Sequence, residues 1–313
     1  GVIKMLEANG ITPVDVSGTS AGSVVGALYA SGMDAYAMQE KAFALDESKI
    51  RDVSLFSGGV VKGQKLQDYV NDLVGGRTLD RMRKPFAVVA TNLANGERTV
   101  FVRGNTGQAV RASSSIPGVF EAVAIGKAHY VDGGVVSPVP VDAARELGAD
   151  FVIAVDISSK ADGIASTTSM LGNLNQSIRI MGQKLGAQEL ARADIVIRPK
   201  VNDIGPADFA AKNRAILEGE RAAQAAVQEG VLRAEAQLIA VVRHHLLGDP
   251  EGKLQPDRGP LLGGGSLQRE RGPPLGARRA HPCPGRVALP GGLNQRRVMR
   301  WEAALGFEGA LGL

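Results

Sequence analysis

Pro13-Val14-Asp15-Val16-Ser17-Gly18-Thr19-Ser20-Ala21-Gly22-Ser23-Val24-Val25 passes from β-forming residues, through a serine between two glycines, into small and apolar residues at helical spacing. Strand, sharp turn and helix in direct succession is the setting that a nucleophile elbow requires, with the serine of Gly-x-Ser-x-Gly at the turn. Gly18 and Gly22 let the backbone turn without a Cβ clash, so the Ser20 hydroxyl projects while Thr19 and Ala21 complete the turn. The amides that open the helix then face the same side as the hydroxyl. Val24, Val25, Ala27 and Leu28 give this helix its apolar residues, and Ser31-Gly32 ends it.

Outward from this turn, Gly1 to Gly10 reads as a helix already under way and closed by Gly10, so a preceding segment is expected to be absent from this sequence. Residues 34–57 read as helix and loop, and Gly63 to Gly75 as an amphipathic helix with Leu66, Tyr69, Val70 and Leu73 on one face. Pro85 to Ala90 and Arg98 to Val102 are strands joined through Asn95-Gly96, and a second strand pair is predicted around Val119–Ile125 and His129–Val131. Tyr130-Val131-Asp132-Gly133-Gly134, a helix from about Val141 and the apolar run from Phe151 to Ile157 form a strand, helix, strand succession that marks a parallel sheet. Met170, Leu171, Leu174, Ile178, Met181 and Leu185 form a helical stripe expected to pack in the core, and Ile195 to Ile197 a short last strand. One or two long helices are predicted between Ala207 and Leu247.

Beyond residue 248 the composition changes: eight of the 15 prolines and 14 of the 40 glycines fall in 248–313 with no apolar period. The chain therefore divides into a body, 1–247, and a tail, 248–313, expected to be disordered or only locally ordered. The tail also holds ten of the 36 Lys and Arg and six of the 32 Asp and Glu, so the net charge of +4 belongs to it and the body is neutral. A neutral body without basic stripes argues against nucleic acid as a partner. Cys283 is the only cysteine, so the body holds no disulfide. No apolar run approaches the roughly 18 residues of a membrane-spanning helix. Gly263-Gly264-Gly265 is not followed by a phosphate-binding helix, and neither a cofactor nor a metal is called for; isolated acids such as Asp156 and Asp194 read as strand-end caps.

A serine nucleophile needs a base for its proton and donors for the oxyanion that forms. Of the four histidines, His244, His245 and His281 lie in the terminal helix and tail, and His129 reads as a half-buried strand residue. Asp132 ends a strand in a glycine turn and is the stronger candidate for the base, although a turn aspartate that caps local amides reads equally well from spacing alone. As a base, aspartate starts about 2.6 pKa units below histidine, a deficit that burial has to reduce.

Gly18-Thr19-Ser20-Ala21-Gly22 followed by Asp132-Gly133-Gly134 resembles the patatin-like phospholipase family, in particular its bacterial members. Ala112-Ser113-Ser114-Ser115-Ile116-Pro117-Gly118-Val119-Phe120 is similar to the serine-rich segment that precedes the family's aspartate, and the likeness runs from Gly1 to about Ala223. The resemblance implies a three-layer α/β/α fold with a mostly parallel central sheet, and a lipid acyl hydrolase of phospholipase A or lysophospholipase type. It also implies Ser20 as nucleophile and Asp132 as base, with Gly18, Thr19, Ala21, Gly22, Gly133 and Gly134 as the supporting turns. It places the first strand and the glycine-rich oxyanion loop upstream of Gly1, so this chain is expected to be N-terminally truncated and to lack both. Two other readings remain open: a broader carboxylesterase or thioesterase, and a non-catalytic remnant without its oxyanion loop. A lipid or acyl ester is the expected partner, peripheral membrane contact is compatible with it, and the compartment stays open between cytoplasm and cell envelope.

Overall fold

The computed structural model describes residues 1–46, 50, 61–158, 170–204, 208–247 and 302–306. Gly263-Gly264-Gly265, Cys283, Trp301, most of the tail and part of the helix-and-loop stretch expected over 34–57 lie outside these residues. Two units are distinguished, Gly1–Glu235 with Met299–Leu313, and Ala236–Val298. Of the second, only the helix that continues to Leu247 is described.

The first unit is built on a sheet of eight strands, β1 (Asp15–Thr19), β2 (Phe86–Asn92), β3 (Arg98–Phe101), β4 (Val123–Ile125), β5 (Ala128–Asp132), β6 (Val152–Asp156), β7 (Ile195–Ile197) and β8 (Glu302–Gly306). Its order is β4-β5-β2-β1-β8-β6-β7, with β3 paired to β2. β2, β1, β8, β6 and β7 run parallel, while β3 and β5 run antiparallel to β2, so most of the sheet points one way.

Alternating side chains on β2 and β6 create the two outer layers, because successive residues point to opposite faces. Phe86, Val88, Ile153 and Val155 enter a core with α1 (Val2–Ala8), α2 (Ala21–Ala30), α4 (Gln64–Leu73) and α5 (Thr106–Ser113). Ala223 joins the same core from α8 (Lys212–Leu247). Val152 and Ala154 face the other way, onto Val141 and Ala144 of α6 (Val141–Leu147) and Leu190 of α7 (Met170–Leu190). The remaining helix, α3 (Ala35–Ala44), begins at Asp34, whose side chain accepts from the Ala37 amide. This is the three-layer α/β/α fold that the resemblance implies, with the parallel sheet that the strand and helix order led one to expect. Among the described residues no helix is long and apolar enough to cross a membrane.

Among the described residues the tail supplies one strand, β8, which pairs Asp15 with Glu302 through Gly18 with Leu305 on one side and β6 on the other. The sheet therefore has no vacant strand position between β1 and β6. Of the stripe expected on α7, the side chains of Met170, Leu171 and Leu174 lie outside the described residues, Ile178 and Leu185 are half-buried, and Met181 departs from the expectation at 54% exposed, while Gln176, Gly182, Gly186, Glu189 and Leu190 face inward. Small residues let α7 come close to the chain beneath it, and an added Cβ at Gly186 would stand 3.5 Å from Pro138. Asp156 and Asp194 do cap strands: Asp194 accepts from the Val152 amide and pairs with Arg145, and Asp156 accepts from the Ser158 amide.

Candidate active site

The register of three strands sets the geometry. Thr19 of β1 lies beside Val89 of β2, and Ala90, one residue further along β2, lies opposite Asp132 of β5. Ser20, directly after Thr19, and Asp132 therefore reach the same level of the sheet on either side of β2. β5 arrives there from the opposite direction, so its last residue meets the end of β1. The Ser20 hydroxyl donates to Asp132 Oδ2 at 2.7 Å, and both residues are buried, 3% and 6% exposed.

The turn at Ser20 is held from three sides. Its φ of 53° makes it the only non-glycine residue at positive φ among the described residues, a conformation that costs on the order of 1–3 kcal/mol. Ser23 offsets part of this: its amide and its hydroxyl both donate to the Ser20 carbonyl, at 2.9 and 2.6 Å. The Ser20 amide donates to Ser113 Oγ at 2.9 Å, and Ser113 in turn donates to the Val89 carbonyl. Gly18 has to be glycine, since a Cβ there would stand 2.6 Å from the Gly22 carbonyl oxygen.

Asp132 is placed as firmly. Its amide donates to the Ser115 carbonyl, its carbonyl accepts from Thr91 Oγ1, and its Oδ1 accepts from the Gly134 amide at 2.7 Å. One carboxylate oxygen of Asp132 thus caps the glycine turn while the other accepts from Ser20. Burial pushes its carboxyl up to about 7, against the opposing pull of the Gly134 and Ser20 hydrogen bonds. That brings its basicity level with an ordinary imidazole and removes the deficit that an exposed aspartate carries. A hydroxyl held against such a carboxylate can give up its proton as it attacks an electrophilic carbon.

Beyond Asp132 the chain crosses the sheet edge at close range. A Cβ at Gly133 would stand 2.2 Å from the Val89 carbonyl oxygen and 2.9 Å from the Thr19 methyl. Alanine at Gly133 is therefore expected to destabilise the protein by about 2–4 kcal/mol, lowering the melting temperature by roughly 5–15 °C. Calorimetry should show Gly186→Ala, with its ordinary 3.5 Å contact, shifting far less.

His129 is exposed on β5, not half-buried, and pairs with Ala124 at the sheet margin. His244 and His245 lie in α8 where only the backbone is described, and His281 lies outside the described residues. Among the described residues no group of three or more His, Cys, Asp or Glu could hold a metal ion. Sequence reasoning gave no role to Ser113, Ser115, Thr91 or Ser137. Buried serines and threonines at apolar-spaced positions were the available signal, because a polar group in such a place needs a partner.

Comparison with known proteins adds a likeness over the same residues. A family model described as patatin-like phospholipase matches residues 1–145, the stretch that contains both Ser20 and Asp132. An uncharacterized NTE family protein of Mycobacterium tuberculosis is 33% identical over 167 residues, covering 53% of this chain and 46% of that protein. A second one from the same organism is 26% identical over 254 residues, covering 73% and 44%. Patatin-like phospholipase domain-containing protein 6 of Mus musculus is 30% identical over 176 residues, covering 53% of this chain and 13% of that protein. The chain thus spans less than half the length of the mycobacterial relatives it matches. Residues 1–145 of the chain thus match the patatin-like phospholipase family.

Proposed function

We infer that this chain hydrolyses acyl esters of lipids through an acyl-enzyme on Ser20, with Asp132 as general base. The observation that carries this reading is the 2.7 Å hydrogen bond from the Ser20 hydroxyl to a buried carboxylate of raised pKa. Asp132 takes the hydroxyl proton as Ser20 Oγ attacks the ester carbonyl, and the tetrahedral oxyanion forms beside the N-terminus of α2, which opens at Ala21 directly after the nucleophile. Collapse expels the alcohol, which leaves with the proton held by Asp132. Water then attacks the acyl-enzyme, Asp132 accepts a proton from it, and the fatty acid departs as Ser20 regains its hydrogen.

Lipid as the substrate class follows from the family, and the neutral body is compatible with a substrate met at an interface or as monomers. Fatty acid release from a lysophospholipid, from diacyl phospholipid vesicles and from p-nitrophenyl butyrate tests it. Turnover of the long-chain lipids at least as fast as of the butyrate ester is expected. Cleavage of the short ester alone would replace this reading with a broader carboxylesterase.

A further inference from the structure

A second buried carboxylate lies behind the site. Glu189, 6% exposed near the end of α7, receives the Ser137 hydroxyl at 2.5 Å on one oxygen and the Val139 amide at 2.8 Å on the other. Both donors belong to the segment that leaves Asp132 and crosses the face of β1 before entering α6. The same segment is tied to β1 by two hydroxyls on one strand face: Thr19 Oγ1 donates to the Ser137 carbonyl and Ser17 Oγ to the Pro140 carbonyl, each at 2.9 Å. Ser137 therefore faces Glu189 with its side chain and Thr19, the neighbour of Ser20, with its backbone. The amides of Val136 and Ser137 both return to the Gly133 carbonyl, closing the segment into a compact turn directly after Asp132.

Burying a carboxylate is costly, and what Glu189 returns is an acceptor for two buried donors, the Ser137 hydroxyl and the Val139 amide. Burial pushes its carboxyl up to about 7, against its two hydrogen bonds. Asp142 on α6 adds to the shift and Arg192, in the turn just after α7, opposes it, but Arg192 spends its guanidinium on both oxygens of Asp142, at 2.8 Å each. Glu189 is thus left with two neutral donors on one turn. Inward-facing Gly182 and Gly186, with Pro138 and Val139 packed against Gly186, bring α7 near enough for the short glutamate to reach them.

We propose that Glu189 is a positioning residue: it clamps the Ser137–Val139 turn to α7 and, through the Ser137 carbonyl and the Thr19 hydroxyl, keeps Ser20 in register with Asp132. This rests on the ester-hydrolase reading for its kinetic consequence, while the clamp is a property of the fold. Three variants test it. Glu189→Met keeps the shape and removes both acceptors, whereas Glu189→Gln can still accept from Val139 and hydrogen-bond Ser137. Thr19→Val cuts the same link at its other end.

With p-nitrophenyl butyrate as probe, Glu189→Met should lower kcat at least tenfold with KM changed less than twofold, and Glu189→Gln should return to within about threefold of the parent chain. Hydrogen exchange followed by mass spectrometry should quicken in peptides spanning 133–140 and 15–23 and stay unchanged over β6. Should Glu189→Met fail to fold, Thr19→Val has to meet the same kcat and exchange criteria. Unchanged kcat in a folded variant, or faster exchange that stops short of 15–23, overturns the proposal. If the parent chain hydrolyses no ester at all, the hydrolase reading falls, and exchange at 15–23 alone decides for or against the clamp.

Discussion

Ser20→Ala is expected to abolish ester hydrolysis, with kcat falling on the order of 10⁴-fold or more to whatever binding and oxyanion donors give unaided. The loss should come without loss of fold. Ser20 is fixed by its amide to Ser113, its carbonyl to Ser23 and its place between β1 and α2, and none of these uses the hydroxyl. What alanine removes is the donor to Asp132 and the attacking oxygen. Because the residue sits at φ 53°, Ser20→Gly should be equally inactive yet more stable than Ser20→Ala by about 1 kcal/mol, seen as a higher midpoint in urea. A residual rate above about one hundredth of the parent's in either variant would contradict Ser20 as nucleophile.

Asp132→Asn should lower kcat by about 10³–10⁴-fold, near the upper end of what a positioned general base contributes. Asparagine fits the site, since its oxygen can accept from Gly134 and its amide can donate to Ser20, so the loss would be one of basicity and not of geometry. Two pH measurements follow from the carboxyl held at about 7. In the parent chain kcat should rise about tenfold per pH unit on the acid side and level off above about pH 7, as the carboxylate forms.

Stability should run the other way. In the folded chain Asp132 keeps its proton up to about pH 7, whereas the unfolded chain releases it near 3.9, so the folded state binds more protons across that window. The contribution of this group to stability is therefore most favourable below about pH 4, falls as pH rises through the window, and is fully unfavourable above about 7. Asp132→Asn should accordingly be more stable than the parent at pH 8 by on the order of 2 kcal/mol and little different at pH 4. Glu189, also held at about 7, leaves a slope of the same sign in the variant. Destabilisation at pH 8 instead would make Asp132 a structural cap and remove it from the chemistry.

Much of this site was legible in the sequence because its signals are local. The turn at Ser20 is spelled by its own two glycines, and Asp132 by the glycines that follow it. β2 and β6 announce themselves as apolar runs, since strands covered on both faces have no polar side to interrupt them. What the sequence concealed is held together by distant partners. β8 finds β1 across nearly the whole chain and β6 across about half of it, and nothing in Glu302 to Gly306 names those partners. The buried face of α7 is marked by glycines and a glutamate, which a search for apolar period passes over in favour of the exposed Met181. Ser17 and Thr19 alternate on one face of a buried strand, and only the crossing of 133–140 above them explains why both are hydroxyls.

The most direct test of the Ser20–Asp132 pairing is to expose the chain to a fluorophosphonate and locate the adduct by peptide mass, with Ser20→Ala and Asp132→Asn alongside. Labelling at Ser20 in the parent, abolished in Ser20→Ala and slowed at least a hundredfold in Asp132→Asn, is the expected result. Labelling at another serine, or labelling at Ser20 that proceeds unchanged in Asp132→Asn, would contradict it.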